Sequence, residues 1–437
     1  MEDDETRLLA VGRWRNRPAM NVAPSTYAEP APRGQAIRRS PGRQSRRIPF
    51  ALGPAFIAAI AYVDPGNVAT NVLAGARYGY LLLWVVAGAS LLGMLVQYLS
   101  AKLGTATGQS LPEICRRYPD WVRIGLWAQA ELVVIMTDLA EFVGGAIALH
   151  MLFGMPLPVG GAVMVVAVLA VFAVQVRGRT SFRGVVIASL AVIVAAVGYQ
   201  AVRASVSSTS VLDGLVPRIA GNDSVLLAAG IVGATVMPHA IYLHSGLSQE
   251  LREARPKAPA AALLSWNRRD VLIAMTLAGV VNAAILVSAT VLDGPSGESL
   301  PDAYRGFAIA LGSVSALVFP VALLASSLAS SLVGVYSGQV IMQGFLRRSI
   351  PLWVRRAVSA VPPLVILVVG VDATQALVVS QVVLSFGIPF ALIPLILFTR
   401  DRKLMGSMVN RKVTTAVSGL VAALVIALNV FLLVMSG

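Results

Sequence analysis

Long apolar runs alternate along this chain with short polar connections. Crossing a bilayer as a helix takes about 17–25 apolar residues. Eleven runs meet that length or approach it: 50–73, 80–104, 122–151, 158–176, 183–203, 224–249, 269–293, 305–340, 355–371, 374–398 and 413–435. Lipid offers no hydrogen-bond partner to an open backbone, and a helix satisfies its own. The pattern therefore predicts an all-α polytopic membrane protein of about eleven transmembrane helices.

Two of these runs are interrupted at matching points. Run 1 contains Ala61-Tyr62-Val63-Asp64-Pro65-Gly66-Asn67, and run 6 contains Ala234-Thr235-Val236-Met237-Pro238-His239. Both read Ala-x-Val-(ligand-type residue)-Pro. A proline inside an apolar span removes a backbone hydrogen bond and clashes with the preceding turn. Such a break is tolerated at membrane depth only where it lines a protein cavity. Paired breaks at corresponding places in two halves point to a transporter's binding site. With five spans per half, the second half inserts upside down. The expected organisation is a tail over 1–45, a first inverted repeat over 46–203, a second over 204–398, and an added span over 399–437.

Composition agrees with a membrane protein. Of 437 residues 57% are hydrophobic and 13% charged, with mean hydropathy +0.76. Soluble globular domains do not have that balance. The net charge of +14 does not argue for nucleic acid, because the basic residues sit between apolar runs. One set of connections carries Lys102, Arg116, Arg117, Arg177, Arg179, Arg183, Arg252, Arg255, Lys257, Arg268, Arg269, Arg347, Arg348, Arg355, Arg356, Arg400, Arg402, Lys403, Arg411 and Lys412. The other set holds only Arg77, Arg203, Arg218 and Arg305, among acids such as Asp213, Asp293, Glu298, Asp302 and Asp372. The positive-inside rule then puts the N-terminus in the cytoplasm and the C-terminus outside. The first 45 residues are polar and rich in Pro, Arg and Ser, and read as a disordered basic tail. The cluster Arg38, Arg39, Arg43, Arg46 and Arg47, just before the first span, reads as a topology anchor. Compact loops and the lack of a targeting signal suggest a plasma membrane, that of a bacterial inner envelope. Cys115 is the only cysteine, so intrachain disulfides and thiolate clusters are excluded. It lies in a polar connection and reads as an ordinary thiol.

The chemistry concentrates at the breaks. A carboxylate at mid-bilayer costs at least about 2.5–3.5 kcal/mol on insertion scales, so Asp64 is expected to face a partner or a pathway. Asn67 offers an amide oxygen and Met237 a thioether. Unwinding frees carbonyls near Ala61 and Ala234. Oxygen donors alone suit magnesium or calcium; a thioether favours softer transition metals. His239 follows Pro238, and its titration range suits proton exchange. His244 lies more than a turn further on. Span 3 carries Glu131, Asp138 and Glu141, the last two sharing a helix face. Arg355 and Arg356 open span 9, as interfacial anchors or as inward partners. Gln97 and Asn282 read as hydrogen-bonding links between helices, and Gln381 as a further metal ligand. The sequence has no Gly-x-x-x-x-Gly-Lys-Ser/Thr phosphate loop and no His-Glu-x-x-His motif, which argues against ATP drive and against an enzyme. A coupled secondary transporter remains. A sodium-coupled organic-solute symporter of similar fold and a divalent cation channel are the alternatives.

With these residues in place the sequence resembles the Nramp family of proton-coupled divalent metal transporters. The resemblance rests on Asp64-Pro65-Gly66-Asn67, on Met237-Pro238-His239, on Thr137-Asp138-Leu139-Ala140-Glu141, and on the segment from Ser380 to Phe390, and it covers nearly all of 48–435. It implies a LeuT-like fold and import of manganese, ferrous iron and related ions as substrates, with protons as the coupling ion and no resident cofactor. It implies metal ligation by Asp64, Asn67, Met237 and the carbonyls of Ala61 and Ala234, with Gln381 joining in some states. Proton handling falls to Asp64, His239, Asp138, Glu141 and Arg356, with Arg355 and His244 nearby. Relatives that move magnesium lack the methionine, so Met237 argues against that branch.

Overall fold

The computed structural model describes residues 53–176, 182–204, 208–292 and 297–436. The basic tail, Arg177, Arg179 and Asp293 lie outside them. The described residues contain helices and no strands. The first passage is broken: α1 (Pro54–Ile60), a 3-10 turn over Ala61–Val63, then α2 (Pro65–Tyr78). Next come α3 (Leu83–Thr107), the short α4 (Leu111–Cys115), α5 (Asp120–Phe153), α6 (Leu157–Val176), α7 (Phe182–Arg203) and the short α8 (Ser208–Gly214). The second broken passage is α9 (Gly221–Thr235) and α10 (Pro238–Ala254). It is followed by α11 (Ala260–Ala289), α12 (Leu300–Leu311), α13 (Ser313–Leu346), α14 (Leu352–Ser359), α15 (Val361–Val369), α16 (Ala373–Thr399), α17 (Arg402–Met405) and α18 (Lys412–Ser436).

Eight helical segments among the described residues are long and apolar enough to cross a bilayer. The broken first passage, α6 and the α14–α15 pair bring the total to the expected eleven. Large apolar side chains such as Val166, Val280 and Leu424 stand exposed on the outer faces. On a soluble protein that much apolar surface would aggregate; in a bilayer, lipid covers it.

Two expected spans are each divided into two helices, and a third, expected over 269–293, is α11 over Ala260–Ala289. The apolar run 305–340 belongs to two helices, α12 and α13. Ser299 caps α12, its hydroxyl accepting from the Asp302 amide at 3.3 Å. Gly312, at φ +90°, then turns the chain before α13, a conformation that a side chain disfavours. The run taken as 355–371 is α14 and α15, meeting at Ala360. Pro362 and Pro363 have no N–H to give the carbonyls of Val358 and Ser359, so the ladder is interrupted there. Cys115 also differs from expectation. Its helix α4 tucks Leu111, Ile114 and Cys115 into an apolar cluster, and burial pushes the thiol up from its ordinary range.

Small residues let backbones close on one another, as membrane helices require. A Cβ on Gly233 of α9 would lie 2.0 Å from the Gln381 carbonyl oxygen of α16. One on Gly104 of α3 would lie 2.2 Å from the Ser245 carbonyl oxygen of α10. Helix α5 packs on α13 and α16, and α3 packs on α10 and α11. The two broken passages also touch directly, α2 on α9 and α1 on α10.

Candidate functional site

The two prolines define the centre. A helical N–H donates to the carbonyl four residues back. Pro65 therefore leaves Ala61 without its helical donor, and Pro238 does the same to Ala234. Asp64 (φ −78°, ψ 171°) and Met237 (φ −73°, ψ 122°) are extended and stand as the N-caps of α2 and α10. Each break thus presents carbonyls at the C-terminal end of one helix, which favour a cation, and amides at the N-terminal end of the next.

Asn67 joins the two breaks. Asp64 Oδ1 accepts from the Asn67 backbone N–H at 2.8 Å and from Asn67 Nδ2 at 2.8 Å. The same Nδ2 donates to the Ala234 carbonyl at 2.8 Å. Both partners are acceptors, which assigns the amide orientation. The Thr235 hydroxyl donates to Asn67 Oδ1 at 3.3 Å. Gln381 reaches the same place from α16: a Cβ on Gly66 would lie 2.0 Å from its Nε2. Asp64, Asn67 and Gln381 are wholly buried, as is Met237. Asp64 Oδ2 and Gln381 Oε1 have no hydrogen-bond partner. Leaving such acceptors buried costs about 1–3 kcal/mol each. Among the described residues no three His, Cys, Asp or Glu side chains gather to hold a metal. The donors here are one carboxylate with amides, carbonyls and a thioether.

The remaining polar residues form separate groups. Behind the first break, the Tyr62 hydroxyl accepts from Gln97 Nε2 at 2.7 Å, and Gln97 Oε1 meets His244 Nδ1 at 2.8 Å. The Tyr62 carbonyl accepts from Asn282 at 2.6 Å, and Asn282 in turn accepts from Asn71 at 2.9 Å. Ser326 of α13 donates to the Val63 carbonyl at 2.5 Å. His244 is therefore part of the support of the break and does not touch the acids of α5.

On the other side, Arg356 pairs with Asp138 and donates to the Ser331 carbonyl. Its Nη2 lies 3.8 Å from Glu141 Oε2, and neither Glu141 oxygen has a hydrogen bond. This trio adjoins the break: a Cβ on Gly144, one turn beyond Glu141, would lie 2.2 Å from the Pro65 Cβ. His239 Nδ1 meets the Thr137 hydroxyl at 3.2 Å. Arg355 is not in the trio. It forks onto Glu131, with Nη2–Oε2 at 2.6 Å and Nη1–Oε1 at 3.3 Å.

The sequence reading assigned no role to Thr137, Thr235, Ser326, Asn71 or Asn429, though each is a polar residue inside an apolar run. Asn429 had a readable cue. Pro389 leaves the Ser385 carbonyl without its helical donor, and Asn429 of α18 donates to that carbonyl at 2.9 Å.

The Nramp family, natural resistance-associated macrophage protein-like, matches residues 55–435. A Bacillus subtilis protein named divalent metal cation transporter MntH is 50% identical over 392 residues, 89% of this chain and 92% of that one. A Mycobacterium leprae protein of the same name is 48% identical over 407 residues, 92% of this chain and 95% of that one. The crystal structure of a manganese transporter from Eremococcus coleocola aligns with TM-score 0.78 and 31% identity, covering 87% of this chain and 85% of that one. The inward-facing structure of Mhp1 aligns with TM-score 0.52 at 17% identity, over 88% of this chain and 91% of that one. That likeness speaks for the fold alone, and the fold is the LeuT-like one expected.

Proposed function

The chain belongs to the Nramp family, and from that premise we propose that it imports divalent transition metals, manganese and ferrous iron among them, coupled to proton entry. The observation that carries this reading is the junction of the two breaks. There, unpartnered oxygens of Asp64 and Gln381 sit beside Asn67 and the Ala234 carbonyl, all buried. Metal is the cargo, ligated by Asp64, Asn67, Met237 and the carbonyls of Ala61 and Ala234, with Gln381 joining in some states. Asn67 Nδ2 donates to two of these oxygens, so a cation arriving between them requires Asn67 to turn its amide and offer Oδ1. The burial of Asp64, Asn67 and Met237 supports alternating access, since cargo reaches them only when helices move.

Protons take a second route. A divalent cation beside Asp64 favours its ionised form, so cargo binding expels a proton. The adjoining Asp138–Arg356–Glu141 trio is the acceptor side, with His239 at its edge through Thr137. The protein is a transporter and not an enzyme, needs no resident cofactor, and lies in a bacterial inner membrane. Its N-terminal tail (1–45) is cytoplasmic and its C-terminus lies outside. Residues 46–203 and 204–398 are the inverted halves, and 399–437 add a span.

Flux into sealed vesicles tests the function. Manganese uptake should saturate, should fall when the pH gradient is collapsed, and should not change when sodium is replaced by potassium. Uptake that rises linearly without saturation would mark a channel. Sodium dependence would mark the organic-solute symporter type. Met237→Ala should weaken manganese and cadmium uptake and let calcium or magnesium compete, because it leaves hard oxygen donors alone. Unchanged discrimination against calcium would refute the sulfur argument. Gly66→Ala should displace Gln381 and raise the half-saturating manganese concentration by about tenfold, equivalent to ~1.4 kcal/mol. An unchanged value would remove Gln381 from the site.

A further inference from the structure

A groove of about 830 Å³ opens on the outer surface between α3, α11 and the start of α18. It has two ends of different chemistry. One end, on the side that carries most of the basic connections, is lined by Lys102, Arg268 and Arg411. Its other end, further along α3 and α11, is lined by apolar side chains, Leu91, Leu95 and Leu272 among them. Along α3, Lys102 and Leu91 are eleven residues apart, or roughly 16 Å at 1.5 Å per residue. The groove therefore runs from headgroup level toward the bilayer middle.

The three cations are not neutralised. Among the described residues no carboxylate lies within 4.0 Å of any of them. By contrast Arg355 and Arg356, a few helices away, each have an acid. Lys102 donates to Asn410 Oδ1 at 2.8 Å, a contact that fixes its position without cancelling its charge. Arg268 and Arg411 are exposed at this end, and Lys102 is buried behind them. Grouped like charges repel, and a phosphodiester with an acyl tail matches both ends of the groove. Basic pockets between membrane helices at the headgroup level bind anionic lipid in this way.

We propose that this groove is a binding site for an anionic phospholipid. The phosphate sits among Lys102, Arg268 and Arg411, and an acyl chain lies along Leu95, Leu91 and Leu272. Nothing in the transport chemistry above uses these residues.

The test is lipid retention by the purified full chain in detergent, measured by native mass spectrometry with added phosphatidylglycerol, phosphatidylcholine, or inorganic phosphate as competitor. The wild type should retain phosphatidylglycerol in preference to phosphatidylcholine. The double variant Arg268→Gln/Arg411→Gln should lose about thirtyfold of that affinity. A control double variant outside the groove, Arg402→Gln/Lys403→Gln, should retain it. Manganese uptake by the groove variant reports that it has folded, and if it has not, each single substitution should show a smaller loss in the same direction. Equal retention of both lipids, unchanged retention in the groove variants, or an equal loss in the control would overturn the proposal. Full displacement by inorganic phosphate would make it a site for soluble anions and would overturn the lipid assignment.

Discussion

Asp64→Ala is expected to reduce manganese uptake to that of protein-free vesicles while the protein still inserts and folds. Among the described residues, Asp64 is the one carboxylate at the junction of the breaks. Two effects are separable. As the N-cap of α2 its Oδ1 accepts from the Asn67 amide, and losing a cap costs about 0.5–2 kcal/mol. As the proposed ligand it would supply the formal negative charge at the junction. Asp64→Asn keeps an acceptor for the cap and removes the charge. Both variants should therefore fail to transport, while Asp64→Asn keeps more of the thermal stability. Wild-type uptake by a folded Asp64→Ala protein would sink the metal-site assignment.

Asp138→Asn is expected to depress proton flux, and the pH dependence of uptake, by an order of magnitude while manganese binding falls much less. Asp138 holds Arg356 in a buried ion pair, and breaking such a pair typically costs about 3–5 kcal/mol. Here Glu141, 3.8 Å from the same guanidinium, is placed to take over as counter-ion. On the proposed route, that replacement uses up the acid that is to take a proton from the neighbourhood of Asp64. Parallel manganese and proton flux under an imposed pH gradient is the measurement, with a manganese-binding titration alongside. Normal proton flux and normal pH dependence in Asp138→Asn would make the pair structural and end the separate-route reading.

Several features of this protein were determined by local sequence alone. Apolar run length set the number of membrane passages, because the thickness of the bilayer requires it. Pro65 and Pro238 set the two breaks, because a missing N–H acts on a carbonyl four residues away. The acid and the amide beside the first break then named Asp64 and Asn67, whereas Gln381 stood out only as a polar residue inside a separate apolar run. Run length did not show that 305–340 begins with a separate helix, because Gly312 is one residue in an unbroken apolar stretch and its positive φ is a property of the folded turn. Tertiary structure decided which polar groups meet. Asn67 reaches Ala234 across 167 residues. Adjacent Arg355 and Arg356 take different acids, Glu131 and Asp138. His244 turns to Gln97 while His239 turns to Thr137. Neighbouring residues on a helix point about 100° apart, so the rotation of each helix about its axis selects the partner. That rotation is set by how whole faces pack, at contacts such as Gly144 on Pro65 and Gly233 on Gln381, and no local stretch of sequence contains it.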